Sequence, residues 1–170
     1  MRLVVANFDR QRIVSKKHVV AAVQRLPRDH YAGIRAIRYD PDRTLATQLS
    51  YLNNKPSSTR TQGIYYHDQD LSVIVIFRFS SASQFDHILY HEIGHYVFLR
   101  VLSQEQRDRW FYHIRPSENR FVSPQARQNS REDFAETYAF YCTCPSRLQG
   151  TPLKGAYFRD SIFQGTMLLT

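Results

Sequence analysis

The chain has 170 residues, 42% hydrophobic and 22% charged, with 11 Tyr and 11 Phe; this suits one folded domain and excludes a disordered or low-complexity chain. The formal net charge is +8 and 19 of the 23 basic residues are Arg, but they are scattered from Arg2 to Arg159 without a run of five, so charge alone does not mark a nucleic-acid binder. No stretch reaches the roughly 18 apolar residues of a membrane span and the N-terminal apolar run is too short for a signal segment, so the expectation is a cytoplasmic protein without a membrane partner, leaderless export being the other route.

In chain order, Ser15 is expected to cap a helix over Lys16 to Leu26, with Val19, Val20, Val23 and Leu26 on one stripe and Pro27 as the stop. Ile34 to Tyr39 alternates as a strand does, and Asp40-Pro41-Asp42 supplies a turn. The segment from Thr44 to Leu52 has no assignable pattern, and Asn53 to Thr61 is polar and reads as a loop. Gly63 to Tyr66 and Leu71 to Phe79 are β-rich and separated by His67-Asp68-Gln69-Asp70, which predicts a hairpin.

Ser81 or Ser83 caps a long helix running to about Leu102, apolar nearly all round and so central and buried. Ser103-Gln104-Glu105-Gln106 has the form of a capping box opening a helix with Trp110 and Phe111, which Pro116 ends. Another helix starts near Ser130, and Pro152 to Phe163 forms the last one, with Tyr157, Phe158, Ile162 and Phe163 to bury. The pattern predicts one α+β domain over 1–170, with a sheet part in about 1–80 and a helical part in about 81–170. Cys142 and Cys144, one residue apart, are too close for an unstrained bridge and are read as reduced thiols.

The long helix carries His91-Glu92-Ile93-Gly94-His95. Residues four apart share a helix face, so His91 and His95 can grip one ion while Glu92, about 100° round, reaches a water on it. The three interrupt an otherwise apolar helix, where an unpaired buried carboxylate is costly; without a metal they would have to be a satisfied core His pair beside a Glu reaching for solvent. His87 continues the series, but three successive turns spread over about 12 Å of helix, too far for one ion with short bonds.

A catalytic zinc takes three protein ligands, and the helix after Ser130 offers a third. Glu132, Ala135, Glu136 and Ala139 fall at i, i+3, i+4 and i+7, a packing stripe holding two carboxylates and two small residues. Glu132 is assigned as ligand, and Glu136 as the acceptor for the free ring N–H of a bound His. The reverse, with Glu136 on the metal, and surface ion pairs of both Glu with nearby Arg residues are the alternatives.

His91-Glu92-Ile93-Gly94-His95 followed 37 residues later by Glu132-Asp133-Phe134-Ala135-Glu136 resembles the gluzincin metallopeptidases, specifically the anthrax-lethal-factor-type catalytic domains and their small bacterial relatives. The resemblance covers roughly residues 71 to 163. It implies a zincin-like fold, a single Zn2+, and the first Glu of the second helix as ligand. It also implies a cleft strand, here Leu71 to Phe79, that pairs with an extended substrate. The family usually presents a Tyr about seven residues before that Glu, whose hydroxyl steadies the oxyanion; Gln125 stands there instead, and losing such a donor can cost roughly 100- to 1000-fold in rate. Gln125 itself, Tyr112, His113 and Tyr138 are the candidate donors.

The expected activity is zinc-dependent hydrolysis of peptide bonds in a protein or peptide substrate, with Glu92 as general base. A catalytically weak zincin-like module that binds a protein, or a nucleic acid through its Arg-rich surface, is the other class. Among enzymes, regulator-cleaving peptidases with a later Glu-bearing helix ending before a Pro are the second resemblance, carried by Tyr141 and Cys144-Pro145.

Overall fold

The computed structural model describes residues 3–45, 47, 61–68 and 71–165; the expected Asn53 to Thr61 loop apart from Thr61, most of the unassigned 44–52 segment and turn residues 69 and 70 lie outside them. Four strands, β1 (Val4–Ala6), β2 (Ala36–Tyr39), β3 (Gly63–His67) and β4 (Ser72–Ile76), form a mixed sheet in the order β1-β2-β4-β3. β1, β2 and β4 run parallel, and β3 returns antiparallel to β4 as the predicted hairpin. The fold is α+β.

β4 is buried at every residue, because both faces of the sheet are covered at its centre. Side chains alternate between the faces: Ile37, Ile74 and Ile76 join the main core, while Ala36, Val73, Val75 and Phe77 pack on the other side. The first helix, α1 (Lys16–Gln24), is capped as expected, the Ser15 hydroxyl accepting from the His18 N–H at 3.1 Å. It stops two residues short of the expected Leu26, whose N–H turns back to the Val23 carbonyl ahead of Pro27.

The central helix, α2 (Ala82–Tyr96), starts on Ser81 and passes through a wider π-turn, Val97–Val101, to Leu102. Its core side chains Phe85, Leu89, Ile93 and Val97 are buried, and it packs on β3 and β4. Next comes α3 (Gln104–Arg109), opened by the predicted capping box of Ser103 and Gln106. It continues through the π-turn Trp110–Ile114 to a last short turn, Arg115–Ser117, so that the helical run ends one residue after Pro116 rather than before it.

Helix α4 (Ser130–Thr143) crosses α2, and its first turn is fixed from both sides. The Asn129 side chain accepts from the Arg131 and Glu132 N–H groups, and the Trp110 indole N–H donates to the Ser130 carbonyl at 2.9 Å. Helix α5 (Pro152–Tyr157), prolonged by the π-turn Phe158–Ile162, completes an aromatic cluster with Trp110, Phe134 and Tyr138. No helix among the described residues is long and apolar enough to cross a membrane. Cys142 and Cys144 are both free.

The crossing of α2 and α4 depends on Gly94. A Cβ there would lie 2.9 Å from the Ala135 Cα and 3.1 Å from the Tyr138 Cβ, so hydrogen at Gly94 and a methyl at Ala135 let the two backbones approach. That approach brings the carboxylates of α4 to the histidines of α2.

Candidate metal centre

His91 and His95, one turn apart on α2, bring their Nε2 atoms within 3.1 Å. Glu132 on α4 meets both, with one carboxylate oxygen 3.4 Å from His91 Nε2 and the other 3.4 Å from His95 Nε2. Tetrahedral ligation with bonds of about 2.0–2.1 Å separates donor atoms by about 3.3–3.4 Å, so the three side chains already stand at the spacing a small divalent cation requires. They form a group able to hold a metal ion, and two imidazoles with one carboxylate are a borderline donor set that suits zinc.

Glu136, one turn beyond Glu132, meets the other edge of the His91 ring: its Oε1 accepts from Nδ1 at 2.8 Å. This bond leaves Nε2 as the nitrogen facing His95 and Glu132. Glu136 lies on the Nδ1 side, away from the converging nitrogens, so of the two sequence alternatives the geometry brings Glu132 to the shared point. His87 is absent from that group of donors; its Nε2 lies 3.4 Å from the same Glu136 oxygen and its ring stands edge-on to Phe140.

Each carboxyl group responds to its neighbours. Burial acts to raise the Glu132 pKa, but hydrogen bonds with His91 and Gln125 and the charge field of the histidines pull it down to about 2. Burial is likewise outweighed at Glu136, where bonds from His87, His91 and Ser123 hold the group ionised far below the usual range. Burial wins at Glu92, reinforced by the negative charges of Glu132 and Glu136 against the field of His91, and its pKa rises to about 7. His95 is pushed down to about 4, by burial first and then by His91.

The backbone N–H of Tyr65 is a hydrogen-bond partner of Glu92, and the reason is in the ladder of β3. The Phe77 N–H donates to the Gln62 carbonyl and the Asp68 N–H to the Leu71 carbonyl, so even-numbered residues of β3 face β4 and odd-numbered ones face outward. A Cβ on Gly63 would sit 3.0 Å from Glu92 Oε1 and 2.8 Å from the Ile88 Cγ2; glycine lets the strand edge pass this close. The sequence reading missed Gly63 and the Tyr65 amide, although a glycine at the head of a strand often marks a close backbone approach.

These groups line a cleft of about 550 Å³ that includes Gln62, Gly63, His87, His91, Glu92, Gln125, Gln128, Glu132 and Glu136. The expected cleft strand requires correction. β4 is bonded to β2 on one side and β3 on the other, so it has no free edge for a substrate; the strand at the cleft is β3.

Of the four candidate oxyanion donors, Gln125 is at the site. Its Nε2 donates to Glu132 Oε2 at 2.9 Å and lies 3.4 Å from His91 Nε2. The other three are corrected by their positions. Tyr112 is 72% exposed and His113 is also exposed, since Trp110 takes the inward side of their turn. Tyr138 is buried, but it lies two residues beyond Glu136, about 200° around the helix, and its hydroxyl is bonded to His30 Nδ1 at 2.8 Å.

Asp133, next to Glu132, points into the core and is held by Lys154 Nζ at 2.9 and 3.0 Å; both side chains have 0% exposure. Lys154 also donates to the Arg120 carbonyl at 2.8 Å. No protein-family model matches the chain, and a search of curated proteins likewise returns no match.

Proposed function

We propose that the chain is a zinc-dependent endopeptidase of the gluzincin type, with zinc held by His91, His95 and Glu132. The observation that carries this reading is the convergence of these three side chains at donor spacings of 3.1 to 3.4 Å, beside a cleft lined by His91, Glu132 and the buried carboxyl group of Glu92. Zinc bound there would act as a Lewis acid, lowering the pKa of water and polarising a carbonyl.

The chain's own groups supply the rest. Glu92, a buried carboxyl group lining the cleft beside His91, takes the proton of the attacking water and delivers it to the leaving amine nitrogen. The Gln125 amide, already beside Glu132 and His91, is positioned to donate to a developing oxyanion. An extended peptide adds to the outward edge of β3, where the backbone groups of Gly63 face the cleft.

The test is cleavage of a diverse peptide library by zinc-loaded protein, with and without chelator and with Glu92→Ala. The expected result is cleavage lost in both controls while Glu92→Ala still binds metal. Full activity in a zinc-retaining Glu92→Ala protein would overturn the assignment. The departure at Gln125 supports one second reading, a metal-holding module with little turnover that binds a protein or nucleic-acid partner; salt-sensitive nucleic-acid binding without cleavage would favour it.

A further inference from the structure

We infer that Gln125 is a fourth protein donor to the cation, so that at rest the chain itself closes the position a substrate or water would take. This rests on the cation reading of His91, His95 and Glu132 but not on peptidase activity.

The geometry comes first. The terminal amide of Gln125 stands 2.9 Å from Glu132 Oε2 and 3.4 Å from His91 Nε2, close to the spacings the three ligands keep among themselves. It thus sits directly against two of the three ligands. Without a cation, the end that meets the Glu132 carboxylate must be the N–H donor. A positive charge among the ligands reverses that preference, and a half-turn about the last side-chain bond presents the amide oxygen in nearly the same space.

The backbone under Gln125 is fixed. It opens the 3-10 turn Gln125–Arg127 directly after Pro124. The Ala126 N–H donates to the Ser123 hydroxyl at 3.2 Å, and Ala126 is buried against Val122 and Leu148. The fixed backbone starts the exposed Gln125 side chain beside the site, and its amide bond to Glu132 Oε2 at 2.9 Å holds it there.

The chemistry gives a consequence for substrates. A peptide carbonyl is also an amide oxygen, so substrate would exchange one such donor for another, and the tethered one has the advantage of a high effective concentration. Displacement then needs binding energy from elsewhere, such as pairing with the edge of β3, and short or weakly held peptides are excluded.

The experiment uses the full chain loaded with Co2+, reading water-proton relaxation, visible absorption and Co2+ affinity by chelator competition. Expected for the wild type is little relaxation by exchangeable metal water. Gln125→Ala should gain that relaxation and bind Co2+ about 10-fold or more weakly, whereas Gln125→Glu, which keeps an oxygen donor, should retain the closed signature. A wild type that binds Co2+ and already relaxes water as strongly as Gln125→Ala overturns this inference alone, and the wild-type measurement stands whether or not the variant folds. If the wild type binds no Co2+, the inference falls together with the cation reading.

Discussion

Glu136 accepts from His91 Nδ1 at 2.8 Å, and so turns the opposite ring nitrogen toward His95 and Glu132. A bond of this kind fixes the tautomer and raises the basicity of the metal-facing nitrogen. Glu136→Gln should weaken zinc affinity about 10- to 100-fold without removing a donor of the His91–His95–Glu132 group. Competition with a chromophoric chelator measures it; unchanged affinity would reduce Glu136 to a purely structural partner of His87.

Metal uptake should also release protons in a defined way. In the metal-free protein burial acts to lower the His91 pKa, but hydrogen bonds with Glu132 and Glu136 and the nearby carboxylate charges outweigh it and push it up to about 10. His91 is then protonated at neutral pH, while His95, pushed down to about 4, is neutral. A ligating imidazole must be neutral, so zinc binding near pH 7 should displace about one proton from His91, seen as a dependence of the binding enthalpy on buffer ionisation. The raised His91 pKa also fixes the sign for stability: its contribution is complete below the ordinary value of 6.5 and disappears as pH rises through about 10. Metal-free protein should therefore lose thermal stability over that window, and the zinc-loaded protein should not.

The parts of the site that were legible in the sequence are those set by local spacing. His91 and His95 are four apart on one helix, and Glu132 and Glu136 four apart on another, so each pair's common face follows from helix geometry. Which Glu meets the shared nitrogens depends on how α4 crosses α2, and that is fixed by the contact of Gly94 with Ala135, a relation between positions 41 apart. Strand order is equally non-local. The hairpin was readable, but not the placement of β4 between β2 and β3. A signal was there: Val73-Ile74-Val75-Ile76 is an unbroken apolar run, the mark of a strand covered on both faces, whereas Gly63 to His67 ends in a polar residue. Nothing local marks Lys154 as a buried partner of Asp133.

The close approach at Gly94 makes a further prediction. In Gly94→Ala the added methyl would meet backbone, the Ala135 Cα at 2.9 Å, which cannot swing aside as a side chain can. Overpacking of this kind costs about 1–3 kcal/mol, and relief requires α4 to move away from α2, carrying Glu132 with it. Gly94→Ala should thus lower both the denaturation midpoint and zinc affinity, while Gly155→Ala, whose Cβ would meet nothing closer than 3.5 Å, should leave zinc affinity unchanged and raise the midpoint slightly, as Ala is the better helix former.

The ion pair of Lys154 and Asp133 lies where a charge without its partner is most costly. Both groups have 0% exposure, and although burial raises the Asp133 pKa, Lys154 and Arg115 act against it. Arg115 is close, its Nε 3.4 Å from Asp133 Oδ2, but that Nε makes no hydrogen bond among the described residues, whereas Lys154 Nζ lies 2.9 Å from the same oxygen and 3.0 Å from Oδ1, so Lys154 is the main compensation. Lys154→Met should destabilise the protein by about 3–5 kcal/mol, the usual cost of leaving one member of a buried pair alone. The double variant Lys154→Met with Asp133→Asn removes the orphaned charge and should recover a large part of that loss. Because Asp133 precedes Phe134 and follows Glu132 in the first turns of α4, the single variant should loosen the ligand-bearing end of the helix as well. Urea unfolding of the three proteins measures the energies, and hydrogen exchange at the α4 amides locates the loosening. Equal stability of the single and double variants would mean that Arg115 takes over the carboxylate when Lys154 is gone.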